Sequence, residues 1–146
     1  MGSKSSQTND SNRPITVAIG IVLRGNQVLI CQRKTDAVLG GYWEFPGGKI
    51  EPGETPAQAV IRELKEELDI VVTAGATLPT IEHTYDHGVI RLSPIHCTLT
   101  AGEPRAIGCQ RFQWVECNRL SEYTFPAANA PLLQLLARAS TLHPPV

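Results

Sequence analysis

The sequence predicts an α/β fold, with helices packed on a central sheet, and three observations support it. First, a β-branched run at Ile15–Leu23 is followed, after Arg24-Gly25-Asn26, by a second apolar run at Val28–Arg33, which is the pattern of a strand hairpin. Second, a helical period takes over at about residues 56–68. Third, strand-like runs return at Ile81–Tyr85, Val89–Leu99 and Arg105–Val115, before a last helical stretch at Pro131–Ala139. Elements mixed in this order share one sheet with helices laid on it.

Residues 1–13 are polar after the initiator Met and read as a flexible tail, leaving 14–146 as a single domain. A loop is expected over 36–42. Pro94 removes a ladder donor, so its strand should be an edge, bulged or broken there. In the C-terminal helix Pro131 suits the first turn, and Leu132, Leu133, Leu135 and Leu136 are available for burial. A chain of 146 residues that is 42% hydrophobic can bury one core, which excludes a wholly disordered chain. The net charge of −1 predicts no stable binding of nucleic acid and no affinity for anionic membranes. The apolar run at Ile15–Leu23 is too short to span a bilayer. Cys31, Cys97, Cys109 and Cys117 form no C-x-x-C pair and read as reduced thiols. A soluble, cytoplasmic monomer is the expectation.

The chemistry concentrates in Gly47–Ile70. Thr55 is placed to cap a helix, Pro56 fits its first position, and Gln58 completes a capping box. At 100° per residue Val60, Ile61, Leu64 and Leu68 form one apolar stripe, expected to be buried. Glu63, Glu66 and Glu67 form an acidic stripe beside it, while Arg62 and Lys65 take the remaining side. Two carboxylates about 5–6 Å apart repel by about 3 kcal/mol at an effective dielectric of about 20. A hard divalent cation would turn that repulsion into binding, and oxygen ligands suit Mg²⁺, with Mn²⁺ as the alternative. Three glutamates on a helix also make an ordinary solvated face, so the stripe alone does not decide.

The spacing around the stripe decides. Gly48, Glu54, Arg62, Glu63, Glu66 and Glu67, with Leu64 and Ile70, resemble the Nudix box G-x5-E-x7-R-E-U-x-E-E-x-G-U, where U is bulky and apolar. Six fixed matches arise by chance about once in 10⁷ windows. Asp69 stands where the box has Gly, at a position expected to be left-handed. The resemblance runs from about Ile15 to Ala139. Trp43-Glu44-Phe45-Pro46-Gly47-Gly48-Lys49 is similar to the segment entering the box in the MutT type of nucleotide pyrophosphohydrolase. Phe125–Pro131 is similar to the segment in which an Asn, here Asn129, reads an oxidised guanine.

That resemblance implies an α/β/α sandwich with a central mixed sheet. It also implies a Mg²⁺-dependent hydrolase that sanitises the nucleotide pool, taking 8-oxo-dGTP to 8-oxo-dGMP and pyrophosphate. Glu63, Glu66, Glu67 and the Gly47 carbonyl would hold the metal, and Arg62 would orient the carboxylates, paired with Glu54. Arg33, Glu44, Phe45, Pro46, Gly47 and Asn129 would contact the nucleotide, with Gly48 as box support. The alternatives are another nucleoside diphosphate derivative, a modified pyrimidine triphosphate, or a non-catalytic module that recognises oxidised guanine.

Gly108 stands where some members carry a further carboxylate, for which Glu82 and Glu103 are substitutes, and Val38 stands where they carry a substrate-contacting His. His83 and His87 are four apart, but Thr84 and Tyr85 favour a strand, so they are expected at a strand end or loop lining the pocket. Trp43 and Trp114 read as core aromatics, Phe45 as a base contact, and Asn129 equally as an N-cap for the last helix.

Overall fold

The computed structural model describes residues 14–86 and 88–142; the polar segment 1–13 and His87 lie outside the described residues. The strands are β1 (Ile15–Arg24), β2 (Gln27–Gln32), β3 (Trp43–Glu44), β4 (Gly47–Lys49), β5 (Val71–Thr77), β6 (Ile81–Tyr85), β7 (Gly88–Ala101) and β8 (Arg111–Glu116). The helices are α1 (Pro56–Leu68) and α2 (Ala130–Leu142), with short 3₁₀ turns at Cys117–Glu122 and Ala127–Asn129.

The predicted hairpin forms on Gly25 and Asn26, where Gly25 takes φ 62°, a value glycine adopts without strain. It keeps only two rungs, Leu23 to Val28 and Arg24 to Gln27. Beyond them β1 and β2 part, and the segment Trp43–Lys49 passes into the gap. There β3 pairs with β2, β4 pairs with β1, and between them the Gly20 N–H donates to the Pro46 carbonyl at 2.7 Å. Gly47 has to be glycine, because a Cβ there would overlap the Ala18 carbonyl. This insertion places the expected substrate and metal segment at the centre of the fold.

The sheet runs β3-β2-β1-β7-β5, with β6 also on β7 and β8 also on β2. It is mixed, since β1 and β7 run parallel and the other pairs antiparallel. Side chains alternate across β1: Ala18 and Val22 pack with Val60, Leu64 and Leu68 of α1, while Ile19 and Ile21 pack with Leu132 and Leu136 of α2. A Cβ on Gly20 would lie 3.0 Å from a Leu64 methyl, so α1 sits close on the sheet. Truncating fully buried Leu64 to Ala should cost about 2–5 kcal/mol.

Several expectations change. Ile61 is 37% exposed, and Ala59 takes its place in the buried stripe. Pro94 lies, as expected, at an interruption of the ladder, on one side of β7 and next to a register shift in β5 between Ala74 and Thr77, while β1 stays paired through it on the other side. It falls where the β6 pairing ends at Leu92 and the β5 pairing begins at Ile95, so its missing N–H costs no rung. The strand predicted at Arg105–Val115 starts only at Arg111. Its first residues turn away because the N–H groups of Arg105, Ile107 and Gly108 donate to the carbonyls of Leu68 and Glu67, satisfying the end of α1. All four cysteines are free and buried. No helix among the described residues is long and apolar enough to cross a membrane.

Candidate active site

The capping box of α1 forms in full: Thr55 Oγ1 accepts from the Gln58 N–H at 3.1 Å, and Gln58 Oε1 accepts from the Thr55 N–H at 2.9 Å. At the other end Asp69 takes φ 57°, ψ 39°, the left-handed conformation expected, and its N–H donates to the Lys65 carbonyl at 3.1 Å. Its carboxylate is held by Lys65 and Arg105, which keep it below the usual range.

Arg62 organises the first half of the helix. Its Nε and Nη2 grip both oxygens of Glu54 at 2.7 and 3.0 Å, the bidentate arrangement a guanidinium favours. Nη1 donates to Glu63 at 3.2 Å and to Glu66 at 3.0 Å, and Nη2 also donates to the Lys49 carbonyl at 3.2 Å. The bonds from Arg62 hold the Glu54 carboxyl below the usual range, whereas burial raises that of Glu63. Gly48 leaves the room this needs, since a Cβ there would overlap the Glu63 carboxylate.

The predicted acidic stripe is therefore split. Arg62 starts from another side of the helix and reaches across to Glu54, Glu63 and Glu66, the contacts that the resemblance implies for it. Among the described residues no three Asp, Glu, His or Cys side chains form a group able to hold a cation as they stand. Glu67 is the member that faces the cleft. Its Oε1 accepts one bond, from the Gly47 N–H at 3.3 Å. Burial, then the neighbouring Glu44 and Glu63, push its pKa up to about 8.

Glu67 lines a cleft of about 380 Å³ together with Arg33, Glu44, Gly47, Gly48 and Gly108. Gly108 packs on Glu67, where a Cβ would lie 3.0 Å from its Cγ. Neither substitute for the absent carboxylate lines this cleft: Glu82 is bound to Arg91 at 2.7 Å, and Glu103 is an exposed loop residue. Glu44 is the additional carboxylate near Glu67, although burial raises its pKa and the Arg33 Nη1 contact at 2.8 Å partly offsets the rise.

A second cavity, of about 400 Å³, shares Val17, Arg33, Glu44 and Gly47 with the cleft and extends between the sheet and the start of α2. Its walls are mainly apolar, with Ile19, Phe45, Ile90 and Leu92 from the sheet segments and Pro126 and Ala128 from the turn before α2. Phe45 is 2% exposed and packs on Phe125 at 5.2 Å. Trp43 is core, edge-on to Tyr123, while half-buried Trp114 carries Arg24 over its ring at 4.0 Å. Pro46, expected to touch substrate, lines neither cavity; it is buried, and its carbonyl ties the insertion to Gly20. Val38 lines the cavity while 80% exposed, and its carbonyl accepts from Arg33 Nε at 2.7 Å.

Asn129, 7% exposed, stands at the α2 end of the cavity. It does not cap α2. Its Nδ2 donates backwards to the Pro126 carbonyl at 3.3 Å, which fixes the amide orientation and leaves Oδ1 without a partner among the described residues. Tyr85, which reading the sequence did not single out, also lines the cavity, stacked edge-on against His83 at 4.5 Å. Its period-two spacing with Ile81 and His83 on β6 was the available signal.

The chain is similar to known proteins over nearly its whole length. The NUDIX domain model matches residues 18–135. The 8-oxo-dGTP diphosphatase of Escherichia coli (strain K12) is 35% identical over 127 residues, 86% of this chain and 98% of that one. The CTP pyrophosphohydrolase of the same organism is 33% identical over 120 residues, 82% of this chain and 89% of that one. Among solved structures, the E. coli ORF135 protein superposes with a TM-score of 0.78 at 30% identity, covering 94% of this chain and 98% of that one. With the box residues in place on α1 and the sheet arranged as described, the chain belongs to the NUDIX domain family.

Proposed function

We propose that this hydrolase cleaves a nucleoside triphosphate to the monophosphate and pyrophosphate, that its substrate is an oxidised purine such as 8-oxo-dGTP, and that its cation is Mg²⁺. One observation carries the reading: an apolar cavity with an open amide oxygen at its far end runs into a cleft that holds a poorly neutralised carboxyl. The shape matches a flat base joined to an anionic tail.

Asn129 supports the choice of base. Oxidation at C8 turns purine N7 from an acceptor into a donor. Oδ1 is an acceptor whose orientation Pro126 has fixed, so it complements the oxidised edge and opposes the unmodified one. Phe45 offers a buried aromatic face to the base.

The donor set at the cleft suits a hard divalent cation. Glu67, raised by burial and by its acidic neighbours, has a single hydrogen bond, and every other donor assigned here is oxygen. Glu63, Glu66, Glu67 and the Gly47 carbonyl would hold the ion. When bound, such an ion offsets phosphate charge and lowers the pKa of water. The chain's own residues then position the reaction. Arg62, fixed by Glu54, orients Glu63 and Glu66, Gly47 and Gly48 admit the phosphate chain close to the backbone, and a box glutamate accepts the proton from the attacking water. The water oxygen bonds to phosphorus, the bridging P–O bond breaks, and pyrophosphate leaves. This reading needs neither nucleic acid nor membrane, and its working unit is a cytoplasmic monomer.

Pyrophosphate release with Mg²⁺ across a panel of 8-oxo-dGTP, dGTP and CTP tests it. The highest kcat/KM should be for 8-oxo-dGTP. A highest value for CTP moves the assignment to pyrimidine triphosphates, and no pyrophosphate from any member overturns it.

A further inference from the structure

The cleft contains a cation with no part in the scheme above. The described residues include three lysines, Lys34, Lys49 and Lys65. Lys65 is bound to Asp69 at 2.8 Å, whereas Lys34 and Lys49 have no ion pair among the described residues, and both line the cleft. The arginines nearby are already engaged, Arg33 by Glu44 and Arg62 by Glu54, Glu63 and Glu66. Lys49 belongs to the run that leads into the box. Lys34 lies outside every motif, just beyond β2.

The local fold holds the Lys34 backbone in place. Its carbonyl accepts from the Ala37 N–H at 3.0 Å, and Arg33 Nε is anchored on Val38, five residues after it. Gly40 packs so tightly on the carbonyls of Lys34 and Thr35 that a Cβ there would overlap them. An exposed lysine on a fixed turn presents a compact charge with a reach of four methylenes.

The two cavities set the direction of a bound nucleotide. With the base against Asn129, the shared wall of Arg33, Glu44 and Gly47 receives the sugar and first phosphate. The outer phosphates would then extend into the cleft, whose lining includes Lys34, Asp36 and Lys49. Resting on the nucleotide reading above, we propose that the Lys34 ammonium binds the outer phosphates, so that the site distinguishes a triphosphate from a monophosphate by charge at this position.

Calorimetry with Mg²⁺ on the full chain tests this, using the α,β-imido analogue of 8-oxo-dGTP and 8-oxo-dGMP as probes. Lys34→Gln should weaken the triphosphate analogue about tenfold, the scale of one charge-assisted contact, and leave the monophosphate within about twofold. Lys34→Arg, which keeps the charge, should recover most of the difference. Lys34 is exposed, so both variants should unfold at the wild-type midpoint. Equal weakening of both probes, or of neither, overturns the inference while leaving the nucleotide reading intact. Failure of the wild type to bind either probe overturns the reading and this inference together.

Discussion

Arg62 and Glu67 stand five residues apart on α1, and their surroundings are opposite. Arg62 is bound by Glu54 through two bonds and by Glu63, Glu66 and a backbone carbonyl through one each. Glu67 has one backbone N–H and two carboxylates as neighbours. Charge on the Arg62 side is neutralised within the chain and contributes to the stability of the free protein. On the Glu67 side the carboxyl is buried beside two other carboxylates, so that ionising it costs stability in the free protein. On the proposed reading one helix carries both a structural clamp and a ligand site, and substitutions of Arg62 and Glu67 should move stability in opposite directions.

The largest effect is expected on the open side. Glu67→Gln is near-isosteric and should lower kcat by about 10²-fold or more, as loss of a charged group at the reacting centre does. Steady-state assays on 8-oxo-dGTP check this, and full activity would remove Glu67 from the site. Asn129→Ala comes next. It should reduce the kcat/KM preference for 8-oxo-dGTP over dGTP by about tenfold or more, with about 1 kcal/mol of stability lost from the bond to Pro126. An equally selective variant would make the residue structural.

On the paired side, Arg62→Met should destabilise the free protein by about 1–3 kcal/mol, because it leaves half-buried carboxylates facing one another. Urea unfolding measures it, and an unchanged midpoint would mean the clamp contributes nothing. Asp69→Gly should have the smallest effect. Glycine relieves the left-handed strain by up to about 1 kcal/mol, and loss of the exposed, solvent-screened pairs with Lys65 and Arg105 offsets part of that gain. Stability should stay within about 1 kcal/mol of wild type, with kcat unchanged.

The sequence made the local features legible. Thr55, Pro56 and Gln58 announce the start of α1, Asp69 marks its left-handed end, and the box spacing marks the chemistry. These are short-range constraints, each contained within a few residues. The insertion of β3 and β4 into the hairpin was not legible, because strands of two and three residues carry no period. Nor was β5, whose sequence of small residues shows no apolar–polar alternation, although Val72 and Ala74 turn inward between exposed neighbours. The helical stripe was right about which positions are acidic and wrong about where their carboxylates point. A wheel projects Cβ directions, and Arg62 is long enough to reach across its own helix. Lys34 carries no motif, and only the cleft reveals it.

On the proposed reading Glu67 sits in a buried, acidic setting that a cation would neutralise, at a cost to the free protein. Its folded pKa of about 8 lies above the unfolded value near 4.3. Its favourable contribution is therefore complete below the unfolded value and is lost as pH rises through about 8. Thermal unfolding of wild type and Glu67→Gln, in EDTA across this pH range and again with Mg²⁺ at pH about 8, measures that contribution directly. The midpoints should coincide at acid pH and separate as pH rises, with the variant the more stable, and Mg²⁺ should raise the wild type far more than the variant. Parallel pH profiles, or an equal Mg²⁺ shift in both proteins, would contradict the account.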